Sequence, residues 1–313
     1  MAGSTTAQRI ILMTGGSSGI GLETARVLSL DATNVVVIAS RSLERVNKSV
    51  EDLNQGSGHN NVHGMELNLG SLSAVAAFVE EFRKKFKALH VLLNNAGVTG
   101  PFKYTTTDDG FEMTFATNHL GHMQLTELFL ESSDTAFVPQ RVVIVSSGTH
   151  DPDTHSGMAY PSFSTTAEWA NPTKYDSPLA YTNSKLANAM YGRYLARTLD
   201  PSKTTVAIYD PGFIGTTGLL RATGILQPLI RFIVESLIAF NAWRYSIHNQ
   251  NSTLSRSSPF LARICVDPIL WGAPSGVHYV IDFPHHVSKA ADVHQTQDEL
   301  VRDSRALLRS KGF

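Results

Sequence analysis

A continuous apolar run, Ile10-Ile11-Leu12-Met13, passes without a spacer into Thr14-Gly15-Gly16-Ser17-Ser18-Gly19-Ile20-Gly21, and from there into the helix-forming stretch Leu22–Leu30. An unbroken apolar run bounded by a turn signal fits a strand buried on both faces. A glycine-rich turn between such a strand and a helix aims backbone N–H groups and a helix N-terminus at one point, an arrangement suited to phosphate. The spacing is G-x-x-x-G-x-G, not G-x-G-x-x-G. A strand buried on both faces also needs helices above and below it, which limits the folds open to this chain.

The rest of the chain supplies those helices by alternation. Asn34–Ala39 reads as a second strand and Asn61–Leu67 as a third, followed by the amphipathic Ser71–Phe86. Leu89–Leu93 is a fourth strand ending at Asn94-Asn95-Ala96-Gly97, and Gly110–Leu130 a long helix carrying Asn118. Arg141–Val145 ends at Ser146-Ser147, Thr204–Ile208 at Asp210-Pro211-Gly212, and Val277–Ile281 is a seventh strand before a closing helix, Gln297–Leu308. Strands separated by helices predict an α/β fold, a doubly wound parallel sheet, here a single domain over 1–313. Polar and glycine clusters fall repeatedly at strand carboxyl ends, the edge along which open α/β sheets bind ligands.

The second strand ends at Ser40-Arg41. An acidic residue there would bind ribose hydroxyls of NAD, whereas a cation suits the 2′-phosphate of NADP. Arg41 is a candidate phosphate partner, or else a solvated residue at a helix start; the missing acid favours NADP(H). A net charge of −1 gives no electrostatic reason to expect nucleic acid or an anionic membrane as partner. The single Cys265 excludes an internal disulfide framework and fits a reducing compartment. Residues 1–8 carry no signal-peptide pattern, and no apolar run reaches the ~20 residues of a membrane span. The expectation is a soluble, cytoplasmic protein.

Ser177–Met190 places Tyr181 and Lys185 four residues apart in a helix-forming segment, hence on one face. A free tyrosine titrates near ~10, and a cation within about 4–6 Å lowers that value. A fall of ~3 units requires on the order of 4 kcal/mol, part of it available from Lys185. By itself Y-x-x-x-K is an ordinary surface pair.

Together the motifs resemble the short-chain dehydrogenase/reductase family from about Arg9 to about Pro211. The resemblance rests on T-G-G-S-S-G-I-G at 14–21, N-N-A-G at 94–97, Asn118 in T-N-H-L-G-H, Ser147 in V-S-S, Tyr181 with Lys185, and P-G-F-I-G-T at 211–216. S-K-L-A-N at 184–188 and N-H-L-G-H at 118–122 further resemble the retinol dehydrogenase and protochlorophyllide reductase branch. The resemblance implies that Tyr181 is the general acid or base, that Lys185 holds the nicotinamide ribose and lowers the tyrosine's pKa, and that Ser147 bonds the substrate oxygen. Asn118 would hold a water in a proton relay. Ser146 is the rival of Ser147. Gly15, Ser17, Ser18, Gly19, Ile20 and Gly21 would line the pyrophosphate and adenosine side, with Asn95, Ala96 and Gly97 along the cofactor. Pro211, Gly212, Ile214 and Thr216 would lie near the nicotinamide, and Phe213 near substrate. Asn68 stands where the family commonly has an aspartate contacting adenine; its amide can still donate and accept.

The interval 148–180 is long for this family and rich in proline and aromatics. It either walls the substrate cleft or covers the helices through which relatives dimerise, so monomer and homodimer both stay open. The resemblance places a substrate lid at about 215–258, and the apolar run 225–243 within it then suggests a bulky or lipophilic small molecule; ordinary core packing and a peripheral membrane contact are the other readings of that run. Arg244–Ser258 reads as a polar, serine-rich loop. His119/His122 and His285-His286 do not form a metal-ligand pattern. The expected activity is hydride transfer between NADP(H) and a carbonyl/alcohol pair. Carbon–carbon double-bond reduction and a non-catalytic NADP-binding scaffold or sensor are the alternatives.

Overall fold

Eight strands form one sheet in the order β3-β2-β1-β4-β5-β6-β7-β8. They are β1 (Arg9–Thr14), β2 (Asn34–Ser40), β3 (Val62–Glu66), β4 (Val91–Asn94), β5 (Arg141–Val145), β6 (Thr205–Asp210), β7 (Val277–Val280) and β8 (Phe283–His285). Strands β1 to β7 are mutually parallel, and the short β8 closes the edge antiparallel to β7. The computed structural model describes residues 8–100, 103–215, 236–237, 240 and 251–313. Among the described residues no helix is long and apolar enough to cross a membrane.

Side-chain alternation builds the layers. Ile11, Met13, Val36 and Ile38 face one side, where they meet Ala25 and Leu28 of helix α1 (Gly19–Ser29) and Leu261 and Ile264 of the helix Leu254–Val266. Ile10, Leu12, Val35 and Val37 face the other, against Val75, Phe78 and Phe82 of the helix Leu72–Lys85. Each such side chain removed from water contributes about 1.5–3 kcal/mol. The strands at the centre are apolar on both faces because both faces are covered.

Three local differences from the sequence expectation have physical causes. The helix expected from Gly110 begins instead at Met113, because Thr106 and Glu112 form an antiparallel bridge that reverses the chain first. The Glu112 carboxylate then caps the new start, accepting from Thr114 N at 2.8 Å and Phe115 N at 2.6 Å. The run continues through a π-helical turn, Ala116–Leu120, into Gly121–Leu130.

The second difference corrects the expected loop 244–258. From Leu254 onward it is helix, and Ser257 and Ser258 are fully buried. Their hydroxyls bond Pro211 O at 2.6 Å and Ile20 O at 3.3 Å, so tertiary partners offset weak helix propensity. The third is β8, which follows a reversal at Ile281 with φ of 60°. Apart from Ser236, Leu237 and Phe240, the 225–243 run lies outside the described residues.

The interval 148–180 holds 3₁₀ turns at Gly148–His150 and Pro152–Thr154 and a short helix, Thr166–Ala170. Trp169 packs against Phe115 and Phe163 and is 6% exposed. The segment therefore covers the helical run that carries Asn118. It leads into the helix Ser177–Thr198, capped by Asp176 through Leu179 N at 2.8 Å.

Gly121, just past the π turn, presses on the chain beyond β3. A Cβ added there would lie 2.2 Å from Leu69 O, a backbone atom unable to rotate away. Gly121→Ala is expected to cost about 1–3 kcal/mol through overpacking. A urea midpoint unchanged from wild type would contradict the close approach.

Candidate active site

The ends of β1 and β4 are where the strand order reverses, and a cleft of about 350 Å³ opens there. Gly15, Ser17, Ser18, Gly19, Ile20 and Gly21 line one end of it. Helix α1 starts on this wall with no side-chain cap from Ser18 and no acid in its first turn. Its first N–H groups and positive dipole end are therefore left for an anion. Close approach requires glycine here: a Cβ on Gly21 would meet Gly15 O at 2.4 Å and Asn95 Nδ2 at 2.6 Å.

Arg41 lines the end of the cleft beside β2 together with Arg45, in the first turn of the helix Leu43–Ser57, a residue the sequence pattern did not single out. A second arginine close behind Arg41, where a helix-forming stretch begins, was the available signal. Ser17 Oγ and Ser40 Oγ share a hydrogen bond of 2.8 Å, tying the glycine turn to the end of β2. Asn68 is exposed, and its Oδ1 accepts from Gly70 N at 3.1 Å. The neighbouring Leu67 and Leu69 line the cleft.

On the opposite wall, Asn95, Ala96 and Gly97 run beside Lys185; a Cβ on Gly97 would lie 3.3 Å from Lys185 Nζ. Asn95 Nδ2 donates to Thr14 O at 2.8 Å, fastening β4's exit to β1's. Tyr181 and Lys185 both line the cleft and are 7% and 3% exposed. Lys185 Nζ sits 5.8 Å from the tyrosine ring centroid and donates to Val145 O at 3.2 Å.

The two serines separate by their partners. Ser146 Oγ is committed to Lys185 O at 2.8 Å, whereas the Ser147 hydroxyl accepts from Thr149 N at 3.4 Å and lies beside the Tyr181 phenol, whose ionised form it favours. Asn118 is fully buried, and its amide is occupied by neighbours. Oδ1 accepts from Val98 N at 2.8 Å, while Nδ2 donates to Val98 O at 2.9 Å and Ser184 Oγ at 3.0 Å.

Among the protein's own groups, the phenol is not lowered. Burial pushes Tyr181 up to about 12, opposed by the Ser147 hydrogen bond and reinforced by the charge of Asp210. Burial pulls Lys185 down to about 8, with Asp210 working against it. Desolvation penalises both charged forms, and at this depth it exceeds the attraction expected between them. Asp210 is a site residue that the sequence reading left without a role. It is 1% exposed, accepts from Gly212 N at 2.9 Å, and is raised by burial to about 6.

Pro211 lines the cleft, Gly212 turns at φ of 71°, and Ile214 is buried beyond it. Phe213 pairs with Asn251, and its carbonyl accepts from Ser252 N at 2.9 Å. Thr216 lies outside the described residues.

A parallel sheet with a dinucleotide cleft at its switch point, and a serine, tyrosine and lysine beside it, defines a nicotinamide-dependent oxidoreductase architecture. The family model for short chain dehydrogenase matches residues 9–162. Short-chain dehydrogenase TIC 32 A, chloroplastic, from Brassica napus is 36% identical over 228 residues, covering 70% of this chain and 68% of that protein. Human retinol dehydrogenase 13 is 33% identical over 242 residues, covering 74% and 70%. L-sorbose reductase from Gluconobacter frateurii, solved with NADPH and L-sorbose, superposes with a TM-score of 0.61 at 18% identity, covering 88% of this chain and 95% of that one. This chain belongs to the short-chain dehydrogenase family and is an oxidoreductase of the hydride-transfer type. Within the family it falls in the retinol dehydrogenase-like branch.

Burial favours the neutral form of several histidine rings in this half of the molecule. His278, on β7, is held down to about 3 by burial, with the His150 ring next to it. Its folded value lies below the unfolded ~6.5, so its contribution to stability is present above that pH and is lost as pH falls. Between pH 7 and 5 one such ring costs roughly 2 kcal/mol. Stability measured in urea should therefore fall less over this interval in His278→Phe than in wild type. Equal falls in the two proteins would show that the ring is not buried neutral.

Proposed function

We propose that the protein is an NADP(H)-dependent oxidoreductase acting on the carbonyl/alcohol pair of a bulky or lipophilic small molecule. The observation that carries this reading is the buried pair Tyr181 and Lys185 in one wall of a cleft whose other end holds Arg41 and Arg45, with the half-buried Ser147 beside the phenol. The residues fit the cofactor. The uncapped start of α1 suits its pyrophosphate, and two guanidinium groups with no carboxylate on Ser40 suit a 2′-phosphate. Leu67 and Leu69 offer an apolar wall for the adenine.

When bound, the nicotinamide supplies or takes up the hydride at the substrate carbon. Ser147 and Tyr181 hold the substrate oxygen, and in reduction the Tyr181 O–H hands its proton to that oxygen as the carbonyl becomes an alkoxide. In oxidation the same phenolate accepts the alcohol's proton. A phenol near 12 is a ready donor and a poor base; positive charge brought alongside it would lower that value toward the working range. Lys185 provides the fixed cation, held in place by Val145 O.

The apolar stretch 225–243 and the relatives named retinol dehydrogenases support a lipophilic substrate. The buried thiol of Cys265, the only cysteine, supports a reducing compartment such as the cytoplasm. The helix Ser177–Thr198 packs against the C-terminal helix His294–Arg309 and the 148–180 segment, which supports a monomer.

Tyr181→Phe is expected to lower kcat by roughly 10²–10⁴-fold, with NADPH affinity by fluorescence titration nearly unchanged; a carbonyl and alcohol panel turned over at wild-type rate would remove Tyr181 from the chemistry. Replacing Arg41 and Arg45 with Asp should reduce the NADPH-to-NADH ratio of kcat/KM by on the order of tenfold per arginine. An unaltered ratio would disprove the phosphate assignment.

A further inference from the structure

The directions of one buried hydrogen-bond chain follow from valence. Thr14 Oγ1 accepts from the backbone N–H groups of Asn95 at 3.0 Å and Ala96 at 2.9 Å, which uses both of its lone pairs. Its single proton is then directed at the remaining neighbour, His122 Nε2, at 2.8 Å. A ring nitrogen that accepts is unprotonated, so the imidazole proton resides on Nδ1. Nδ1 lies 2.9 Å from the backbone carbonyl of Asn118, to which it donates. The ring is 4% exposed.

We propose that His122 is a positioning residue that, as the neutral Nδ1–H tautomer, locks the Asn95–Ala96 wall and the π-helical Asn118 backbone into one unit at a fixed spacing. The ring spans two elements, the exit of β1 and the Ala116–Leu120 turn. A second clasp parallels it. Thr126 Oγ1 donates to His122 O at 2.7 Å and accepts from Asn94 Nδ2 at 2.8 Å. His119, three residues earlier, faces away to Ser304 Oγ at 3.1 Å, so the two rings do not converge on a common ligand.

Neutrality is part of the device. An imidazolium would set a second N–H against Thr14 Oγ1, and one of the two backbone donors would lose its acceptor. Burial holds His122 down to about 4; the Lys185 ammonium on the facing helix adds to this, and the Asn118 carbonyl opposes it. His119 is the other titratable group in electrostatic contact with it. The β1 and β4 ends present Thr14 and Asn94, which are uncharged.

The inference rests on the proposed function only where turnover is read, and its first test needs none. In protein labelled with ¹⁵N-histidine, and with His122→Asn used for assignment, the His122 ring should show the neutral Nδ1–H pattern from pH 7 to pH 5. A neutral Nε2–H pattern, or titration near the ordinary histidine value, overturns the proposal whatever the enzyme's substrate is.

The second test compares His122→Phe, which loses both contacts, with His122→Asn, whose shorter amide reaches Asn118 O but not Thr14. The Phe variant should lose at least tenfold in kcat/KM and weaken NADPH binding at least fivefold by fluorescence titration. The Asn variant should weaken NADPH binding similarly but lose less in kcat. Wild-type kcat and NADPH affinity in the Asn variant would reduce His122 to a packing residue and overturn the proposal. If the Phe variant does not fold, the Asn variant and the ring spectrum still decide. If wild type turns over nothing, NADPH affinity and the spectrum remain as readouts, and the failure belongs to the proposed activity.

Discussion

A buried ammonium sets the terms for the rest of this site. Lys185 is 3% exposed, and taking a lysine out of water disfavours its charged form strongly unless the surroundings return hydrogen bonds and opposite charge. Here they are the Val145 carbonyl and the nearby Asp210 carboxyl, one at the end of β5 and the other at the end of β6. Neither is adjacent to Lys185 in sequence. The charge is tolerated only because parallel pairing brings those two strand ends side by side under one helix.

The same desolvation explains why the phenol, the amine and the Asp210 carboxyl all move toward their neutral forms. A site composed this way is poised rather than committed. It holds a proton donor beside a cation of moderated strength, and a further charge entering the cleft acts on groups that water no longer screens. Water-excluded preorganisation of this kind is where small changes in charge have the largest effect on proton transfer.

Around that centre the fold spends its polar residues on spacing. Thr14 accepts two backbone N–H groups of the neighbouring strand's exit, Asn95 returns a bond to the β1 end, and Glu112 caps the run that presents Asn118. Gly21 and Gly121 permit close approaches that a methyl group would block. Each is a short-range contact, yet together they fix the width of the cleft between α1 and the Ala116–Leu120 turn.

The order of elements, the glycine turn, the parallel sheet and the shared helix face of Tyr181 and Lys185 were legible in the sequence, because buried strands, turns and i,i+4 pairs leave periodic or compositional marks. Two serines side by side at 146 and 147 leave no such mark; only packing against Lys185 assigns one inward and the other to the phenol. The helix from Leu254 was hidden because Ser257 and Ser258 weaken its propensity, and the carbonyls that receive their hydroxyls come from distant segments. His122, Asp210 and Arg45 gained their positions the same way. Local sequence determined which residues were available and on which elements; burial and long-range partners, which no window of the chain contains, decided their ionisation, their tautomers and their neighbours.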